Sequence, residues 1–246
     1  MSLDVDNVYL GDCLEKMQLI DDKSIDCIIC DLPYQVTAAH WDSLIDFKLL
    51  WTEYKRIIKD KRAIVLTGTQ TFTTSLISSN LEWFKYELIW EKSKASNFLQ
   101  VKNQPLKAHE NILIFSNGTP LYNPQKTAGK PYLGEKRAGK KGSETEVYNT
   151  VPNPLFRRGS ADGSRYPRSV QYFKTAESEG KQSHPTQKPI ALCEYLIRTY
   201  SNEGDIILDN CAGSGSTLVA AKNLNRRYIG IEKEKNYYDI IKERLK

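Results

Sequence analysis

Ile206-Ile-Leu-Asp209-Asn-Cys-Ala-Gly213-Ser-Gly215-Ser-Thr217 is the stretch that decides the fold. Its apolar beginning, 206–208, predicts a buried strand that stops at Asp209. Two glycines follow in a run of small residues, and a helix is predicted to begin near Thr217. Glycine is needed where a chain turns sharply and where backbone approaches a ligand closely. The stretch therefore predicts a strand–turn–helix unit. By itself such a turn is compatible with a ligand site and with a simple change of chain direction that binds nothing.

A second predicted strand, Tyr228–Ile231, ends in Glu232, seventeen residues after Gly215. An acid at that spacing and strand tip is placed to accept hydrogen bonds from a ribose, so the ligand contains adenosine, with NAD or S-adenosylmethionine as candidates. Only fourteen residues follow Glu232, so the other strands of the sheet must precede this unit. An NAD-binding domain normally begins with its glycine turn, whereas here the other strands precede the turn. The order of the elements therefore disfavours NAD.

Composition indicates one globular domain with a sizeable insertion, because the chain has 246 residues of which 40% are hydrophobic. No apolar run approaches the ~20 residues of a membrane span. The N-terminus lacks the features of a signal peptide, and five irregularly spaced cysteines predict a reducing cytoplasm. Cys27 and Cys30 lie on a predicted strand, where positions three apart face opposite ways, so we interpret them as buried hydrophobes and predict no metal site.

Positive charge is concentrated in one segment. Between Pro120 and Gln182 there are twelve Lys and Arg residues against six acids, whereas the whole chain carries a net charge of +5. A basic segment on a near-neutral body indicates an anionic polymer as partner, although a solvated loop would have the same composition. Our hypothesis is that residues 120–182 make most of the phosphate contacts.

Elsewhere strands and helices alternate, which predicts an α/β fold with a mostly parallel sheet. The predicted elements are strands at 8–10, 25–30, 63–67, 86–90 and 112–115, and helices at 13–19, 47–58, 71–79 and 190–200. Residues 117–182 are rich in Gly, Pro, Lys, Ser and Asn and lack periodicity. We interpret that segment as an inserted recognition element.

Asp31-Leu-Pro-Tyr34 follows the predicted strand 25–30, at the end where open α/β sheets place ligands. In isolation such a tetrapeptide is equally typical of a turn. It is followed by the basic insertion, by His184-Pro-Thr-Gln-Lys-Pro189 and by the glycine stretch. This order closely resembles the beta class of permuted S-adenosylmethionine-dependent DNA amino-methyltransferases, across all but about 120–165. Leu32 stands where the commoner motif, Asp-Pro-Pro-Tyr, has its first proline. The backbone therefore lacks the rigidity that this proline would give.

The resemblance implies a Rossmann-like methyltransferase fold, circularly permuted, with a mostly parallel seven-stranded sheet. It divides the chain into a catalytic half (1–116), an inserted target-recognition region (117–182) and a cofactor-binding half (183–246). S-adenosylmethionine is the implied cofactor and double-stranded DNA the implied substrate, with site-specific methylation of a flipped adenine. A homodimer and a restriction endonuclease partner are compatible with the resemblance.

The resemblance assigns catalysis to Asp31, Leu32, Pro33 and Tyr34. The Asp31 carboxylate and the Leu32 carbonyl would accept hydrogen bonds from the target amine, and Tyr34 would stack on the extruded base. The implied cofactor-binding residues are Asp12, Cys13, Asp31, His184, Thr186, Asp209, Asn210, Cys211, Ala212, Gly213, Ser214, Gly215, Glu232 and Lys233. The candidate DNA contacts are Arg157, Arg158, Arg165, Arg168, Lys140 and Lys141.

Other interpretations accompany some of these residues. Asp12 is also suited to capping the following helix, and His184 to bracing its loop. We interpret Lys188 as structural or at the surface, and His109 with Glu110 as support for a strand.

Several functions remain open from sequence. The acid-first tetrapeptide resembles adenine rather than cytosine enzymes, without strictly separating them. The same chemistry on RNA or on a protein glutamine is a further alternative. Different classes are an NAD-dependent oxidoreductase and a nucleic-acid-binding module whose cofactor site is idle.

Overall fold

The computed structural model describes residues 2–34, 44–133, 159–179 and 187–246. They belong to two compact units, one formed by 1–123 with 169–246 and the other by 124–168. The strands are β1 (Asn7–Leu10), β2 (Cys27–Cys30), β3 (Ile64–Gly68), β4 (Phe84–Ser96), β5 (Lys107–Phe115), β6 (Tyr132–Leu133), β7 (Gly159–Ser160), β8 (Val170–Phe173), β9 (Ile206–Asp209) and β10 (Arg227–Glu232). The helices are α1 (Cys13–Met17), α2 (Phe47–Ile57), α3 (Phe72–Ser79), α4 (Ile190–Tyr200), α5 (Ser216–Asn223) and α6 (Lys235–Arg244).

The first unit is organised around one sheet with the strand order β1-β10-β9-β2-β3-β5-β4-β8. Every neighbouring pair is parallel except the two that involve β5. The sheet is thus mostly parallel, as predicted. Its described strands number eight rather than the predicted seven, because β8 pairs with β4 as an additional edge strand. That strand lies within the region predicted as an insertion, where the sequence shows no periodicity.

Both faces of the central strands are buried, because their residues are continuously apolar and successive side chains point to opposite faces. In β2, Ile28 and Cys30 belong to one apolar cluster together with Tyr54 of α2. Cys27 and Ile29 belong to the other, together with Leu196 of α4. The two cysteines are therefore buried on opposite faces, which confirms their interpretation as packing residues.

The parallel arrangement brings separate motifs to one edge of the sheet. The carboxyl ends of β1, β10, β9, β2 and β3 all lie there, since these neighbours run in the same direction. The amino end of β5 reaches the same edge, because β5 runs the other way. Chain order reverses between β9 and β2, and open α/β sheets bind ligands beside such a switch point.

The second unit, 124–168, contains the two-stranded antiparallel pair of β6 and β7. Thr127 and Arg165 form an additional antiparallel bridge within it. This unit spans fewer residues than the predicted insertion, 117–182. The division into 1–116, 117–182 and 183–246 stays a prediction. Across the described residues, no helix is long and apolar enough to cross a membrane.

Candidate active site

A cavity of about 1270 Å³ opens at the edge where these strands end. Its lining includes the predicted catalytic tetrapeptide and most of the predicted cofactor set that the structure describes. The predicted residues that line it are Asp12, Cys13, Asp31, Leu32, Pro33, Tyr34, Asp209, Asn210, Cys211, Ala212, Gly213, Ser214, Glu232 and Lys233. Motifs from both ends of the chain thus share one cavity.

The glycine turn joins β9 to α5 as predicted. Gly213 and Gly215 have φ angles of +53° and +80°, in the left-handed region that favours glycine. A side chain at Gly215 would meet Ile241 at about 3.0 Å. Gly215 itself does not line the cavity. Its contribution is to let the chain turn into the helix that starts at Ser216.

Glu232 braces this turn from the end of β10. One carboxylate oxygen accepts a hydrogen bond from the Gly213 backbone N–H at 2.7 Å, and the other from the Glu234 N–H at 2.8 Å. The side chain is buried, and burial raises the pKa of its carboxyl group. Glu232 therefore ties the two ends of the cofactor motif together while facing the cavity. Each oxygen keeps a further lone pair for a ligand hydroxyl.

Asp209 and Asn210 lie beneath the cavity at the end of β9. The Asp209 carboxylate accepts a hydrogen bond from the Cys211 N–H at 3.2 Å, and Asn210 accepts one from the buried Tyr54 hydroxyl at 2.6 Å. Asp209 is only 3% exposed. A nearly dry carboxylate in a ligand cavity favours a cationic ligand group, because the charge is otherwise poorly compensated.

Asp12 caps helix α1, the alternative role suggested by the sequence. Its side chain accepts a hydrogen bond from the Leu14 N–H at 2.9 Å. It also lines the cavity, so the two roles are compatible. Cys13 begins the same helix and is buried against the cavity. Lys233 is mostly exposed and lies 3.8 Å from Asp12 as an ion pair.

Asp31 follows β2 and is held by three side chains. One carboxylate oxygen accepts hydrogen bonds from the hydroxyls of Tyr34 and Thr67. The other accepts one from the Lys188 ammonium group at 2.5 Å. Thr67 lies on β3, the strand beside β2, which explains its proximity. Its role was missed at the sequence level, because a threonine within an apolar strand carries no local signal.

The structure places Lys188 in the cavity, so its interpretation as a surface residue is wrong, while the structural role stays open. Its side chain is only 13% exposed and its Nζ pairs with both Asp31 and Glu110. Glu110 Oε1 lies 3.3 Å from Lys92 Nζ as well. The Lys188 Nζ to Glu110 Oε2 distance is also 3.3 Å, but that oxygen receives no aligned hydrogen bond from the described residues. Glu110 is therefore part of the site rather than only support for β5.

Leu32 is buried and belongs to the apolar cluster that also contains residues of α1 and α2. Packing thus anchors this position of the tetrapeptide, where the commoner motif has a rigid proline. The Tyr34 ring lies 4.8 Å from the Phe72 ring, with a tilt of 38° between the planes. Tyr34 is therefore held both by its hydroxyl and by its ring, and Pro33 between them lines the cavity.

Six of the predicted site residues lie outside the described residues: Lys140, Lys141, Arg157, Arg158, His184 and Thr186. Arg165 is described, and its guanidinium group donates to the carbonyls of Gly163, Ser164 and Lys130. Those contacts brace the second unit. Arg168 is the last residue of that unit. A DNA-binding role stays a prediction for the basic candidates, namely Lys140, Lys141, Arg157, Arg158, Arg165 and Arg168.

The structure predicts how Asp209 affects stability. Burial raises the pKa of its carboxyl group to about 7. Between about pH 4 and pH 7 the native state therefore holds a proton that the unfolded chain has already released, and native stability falls as pH rises. We expect wild type to lose free energy of unfolding relative to Asp209→Asn across this window. Urea unfolding at pH 5, 6, 7 and 8 measures the difference, in which contributions from Glu232 cancel. Parallel curves for the two proteins would contradict the assignment.

Comparison with known proteins gives the family. A model described as DNA methylase, for N6 and N4 enzymes, matches residues 25–243. The chain belongs to this DNA methylase family. Two methylases of Haemophilus influenzae resemble the whole chain: the type II methyltransferase M.HinfI is 29% identical over 98% of this chain and 68% of its own length. M.HindIII is 26% identical over 98% of this chain and 95% of its own length.

Solved structures show the same methylase fold. The crystal structure of the M1.HpyAVI complex with S-adenosylmethionine has a TM-score of 0.65, is 24% identical, and covers 97% of this chain and 98% of its own. The cytosine-N4-specific PvuII DNA methyltransferase has a TM-score of 0.69, is 15% identical, and covers 99% and 87%. The predicted Rossmann-like methyltransferase fold is confirmed.

The protein is therefore a DNA methyltransferase. S-adenosylmethionine, the predicted cofactor, is the ligand in the M1.HpyAVI structure of similar fold. The described cavity fits this cofactor. Buried carboxylates suit its sulfonium cation and its ribose hydroxyls, and the glycine turn leaves room for close backbone approach. DNA is the substrate expected of the family.

Proposed function

We propose that the protein methylates the N6 amine of a specific adenine in double-stranded DNA, after that adenine has been extruded from the helix. The observation that carries this proposal is the shared cavity, in which the Asp31 tetrapeptide lies beside the Gly213 turn. The acid-first tetrapeptide supports adenine, because it resembles the adenine enzymes. The PvuII methyltransferase, named as cytosine-N4-specific, has a similar fold. The choice of base therefore rests on the tetrapeptide and not on the fold.

The chemistry needs positioning more than covalent catalysis. The exocyclic amine is a poor nucleophile because its lone pair is delocalised into the ring. S-adenosylmethionine supplies a methyl group on a cationic sulfur. The N–C bond forms as the sulfur–methyl bond breaks, and the amine then releases one proton. The enzyme must hold the amine in line and draw electron density towards its nitrogen.

Asp31 is suited to that task. Its carboxylate accepts an N–H from the amine, which moves the nitrogen towards tetrahedral geometry, and can then take the released proton directly or through water. Lys188 and Thr67 already hold its two oxygens in place. The carboxylate can therefore meet the amine in a fixed orientation. The Leu32 carbonyl accepts the second amine hydrogen, a role that any residue at this position can supply.

The cofactor residues have separable roles in this proposal. Glu232 holds the ribose hydroxyls, while Asp12 and the backbone at Cys13 border the adenine ring of the cofactor. Asp209 and the turn 210–215 hold the methionine end. The resemblance assigns His184 and Thr186, which lie outside the described residues, to the same methionine end.

Tyr34 gives a test of base capture. Tyr34→Ala removes the ring that would stack on the extruded base, a contact worth about 1–3 kcal/mol, so we expect KM for DNA to rise about tenfold or more. Cofactor affinity should change no more than a few-fold. Tyr34→Phe keeps the ring but loses the hydroxyl that donates to Asp31, so kcat should fall with little change in KM. Steady-state kinetics and calorimetric titration separate these effects. Equal losses of DNA and cofactor affinity in Tyr34→Ala would mean that Tyr34 only packs.

The function itself is tested by product analysis. The protein is incubated with labelled S-adenosylmethionine and unmethylated bacterial genomic DNA, and the DNA is digested to nucleosides. N6-methyladenine is the expected product, and mapping its positions identifies the recognition site. N4-methylcytosine would overturn the choice of base while keeping the mechanism. Label in RNA but not in DNA would overturn the proposed substrate.

A further inference from the structure

The hairpin of β4 and β5 ends in an apolar tip that the fold does not bury. The strands pair from Phe84 with Phe115 out to Ser96 with Lys107, and residues 97–106 connect them. Phe98 is 67% exposed, Leu99 98% and Val101 57%. We call these three residues the hairpin tip. Clustered exposed apolar side chains of this kind typically mark an interaction site.

The charges on the hairpin segment around the tip are of one sign. From Lys92 to His109 the chain carries four lysines and no carboxylate: Lys92, Lys94, Lys102 and Lys107. Lys94 forms an ion pair with Glu177, which follows β8 in the chain. Lys102 and Lys107 are exposed. An apolar cluster framed by cations complements DNA, which offers phosphates outside and stacked bases inside.

The tip also lies at the mouth of the active site. Asn97 and Phe98 line the same cavity as Asp31 and Tyr34. Asn97 has a φ angle of +74°, and its side-chain Nδ2 is buried with no hydrogen-bond partner among the described residues. A base that reaches Asp31 must enter this cavity from the DNA, so the tip borders its route.

From these observations we infer that Phe98 and Leu99 form a wedge that enters the DNA stack beside the target base. The inference rests on the proposed function, because it needs a base that leaves the helix. Extrusion loses base pairing and stacking. Apolar side chains inserted between base steps offset that loss and keep the opened helix from closing. The exposed lysines, Lys102 and Lys107, hold the phosphates on either side.

The test uses the variant Phe98→Ala/Leu99→Ala and the control Leu81→Ala. Leu81 is 68% exposed and precedes β4, at the other end of the strand from the tip. Both substitutions are at the surface, where they should leave folding intact. The substrates are two duplexes carrying the mapped recognition site. In one the target base is paired, and in the other it faces an abasic position, so that extrusion costs less.

For the tip variant we expect kcat/KM on the paired duplex to fall about tenfold, a change that corresponds to 1.4 kcal/mol. On the abasic duplex it should stay within about twofold of wild type. With 2-aminopurine at the target position, the increase in fluorescence on binding should shrink for the tip variant and stay unchanged for Leu81→Ala.

Three results would overturn the wedge. One is wild-type activity of the tip variant on the paired duplex, and another is an equal loss on both duplexes. The third is a change from dimer to monomer in sedimentation together with the loss of activity, which would assign the tip to a second copy of the chain. The product formed by wild type on the same duplexes tests the proposed function separately. A methylated cytosine would correct the base, while the ratio of the two duplexes would still decide the wedge.

Discussion

Asp31→Asn is expected to lower kcat for DNA methylation about 10³-fold, within the range typical of a lost proton-transfer or hydrogen-bonding group. The substitution keeps the size of the side chain but replaces the carboxylate that would accept the amine hydrogen. Cofactor affinity should change no more than a few-fold. Single-turnover transfer to the mapped site gives the rate, and calorimetric titration with S-adenosylmethionine gives the affinity.

Two further variants sharpen this result. Thr67→Val removes one of the hydroxyls that hold Asp31, and we expect a smaller loss of about tenfold. Asp60→Asn is the matched control, because Asp60 is an exposed aspartate that pairs with Lys23 away from the cavity. Its kcat should equal that of wild type. An active Asp31→Asn enzyme, or one that loses cofactor binding and transfer in equal measure, would disprove the assigned role.

Lys188→Met is expected to have the second largest effect, and on two separate quantities. The substitution removes the ammonium group that pairs with the carboxylates of both Asp31 and Glu110. Removing one partner of a largely buried ion pair costs about 3 kcal/mol of the free energy of unfolding. Because Asp31 then loses the group that orients it, kcat should fall about 10²-fold as well. Urea unfolding measures the first quantity and single-turnover transfer the second.

A double variant distinguishes positioning from stability. Lys188→Met/Glu110→Gln removes the like charge that remains near Asp31 once the ammonium group is gone, so it should recover part of the lost stability. Its kcat should stay low, because Asp31 still lacks its partner. Lys188→Arg should recover part of kcat. The control is Lys92→Met, since Lys92 pairs with Glu110 but has no ion pair with Asp31 among the described residues. Wild-type kcat in a folded Lys188→Met enzyme would show that Lys188 only stabilises the fold.

Much of the fold was predictable because its core elements carry local patterns. The apolar runs before Asp31 and Asp209 form β2 and β9, and helix α4 spans Ile190–Tyr200 as predicted. Burial on both faces of a parallel sheet makes such runs continuously apolar, and a continuous run is visible in sequence. Strand β8 was missed, because it has only four residues and lies at the sheet edge, within a segment whose composition is typical of a loop.

The amino-acid sequence alone determined the order of the motifs, the strand–turn–helix unit at Gly213 and the acid that follows it. The family resemblance that these motifs carry then implied the permuted methyltransferase fold, its cofactor and the role of the tetrapeptide that begins with Asp31. Each of these is a local pattern of a few neighbouring residues, set by backbone geometry and by the alternation of buried side chains.

Only the tertiary structure decided which side chains surround Asp31. Lys188 is 157 positions away in sequence, and Glu110 reaches the site because β5 runs antiparallel to its neighbours. The exposure of the hairpin tip at the cavity mouth depends in the same way on how β4 and β5 extend beyond the sheet. Ion pairs and exposed surfaces depend on distances between remote segments. Those distances follow from the order and direction of the strands, which no local pattern encodes.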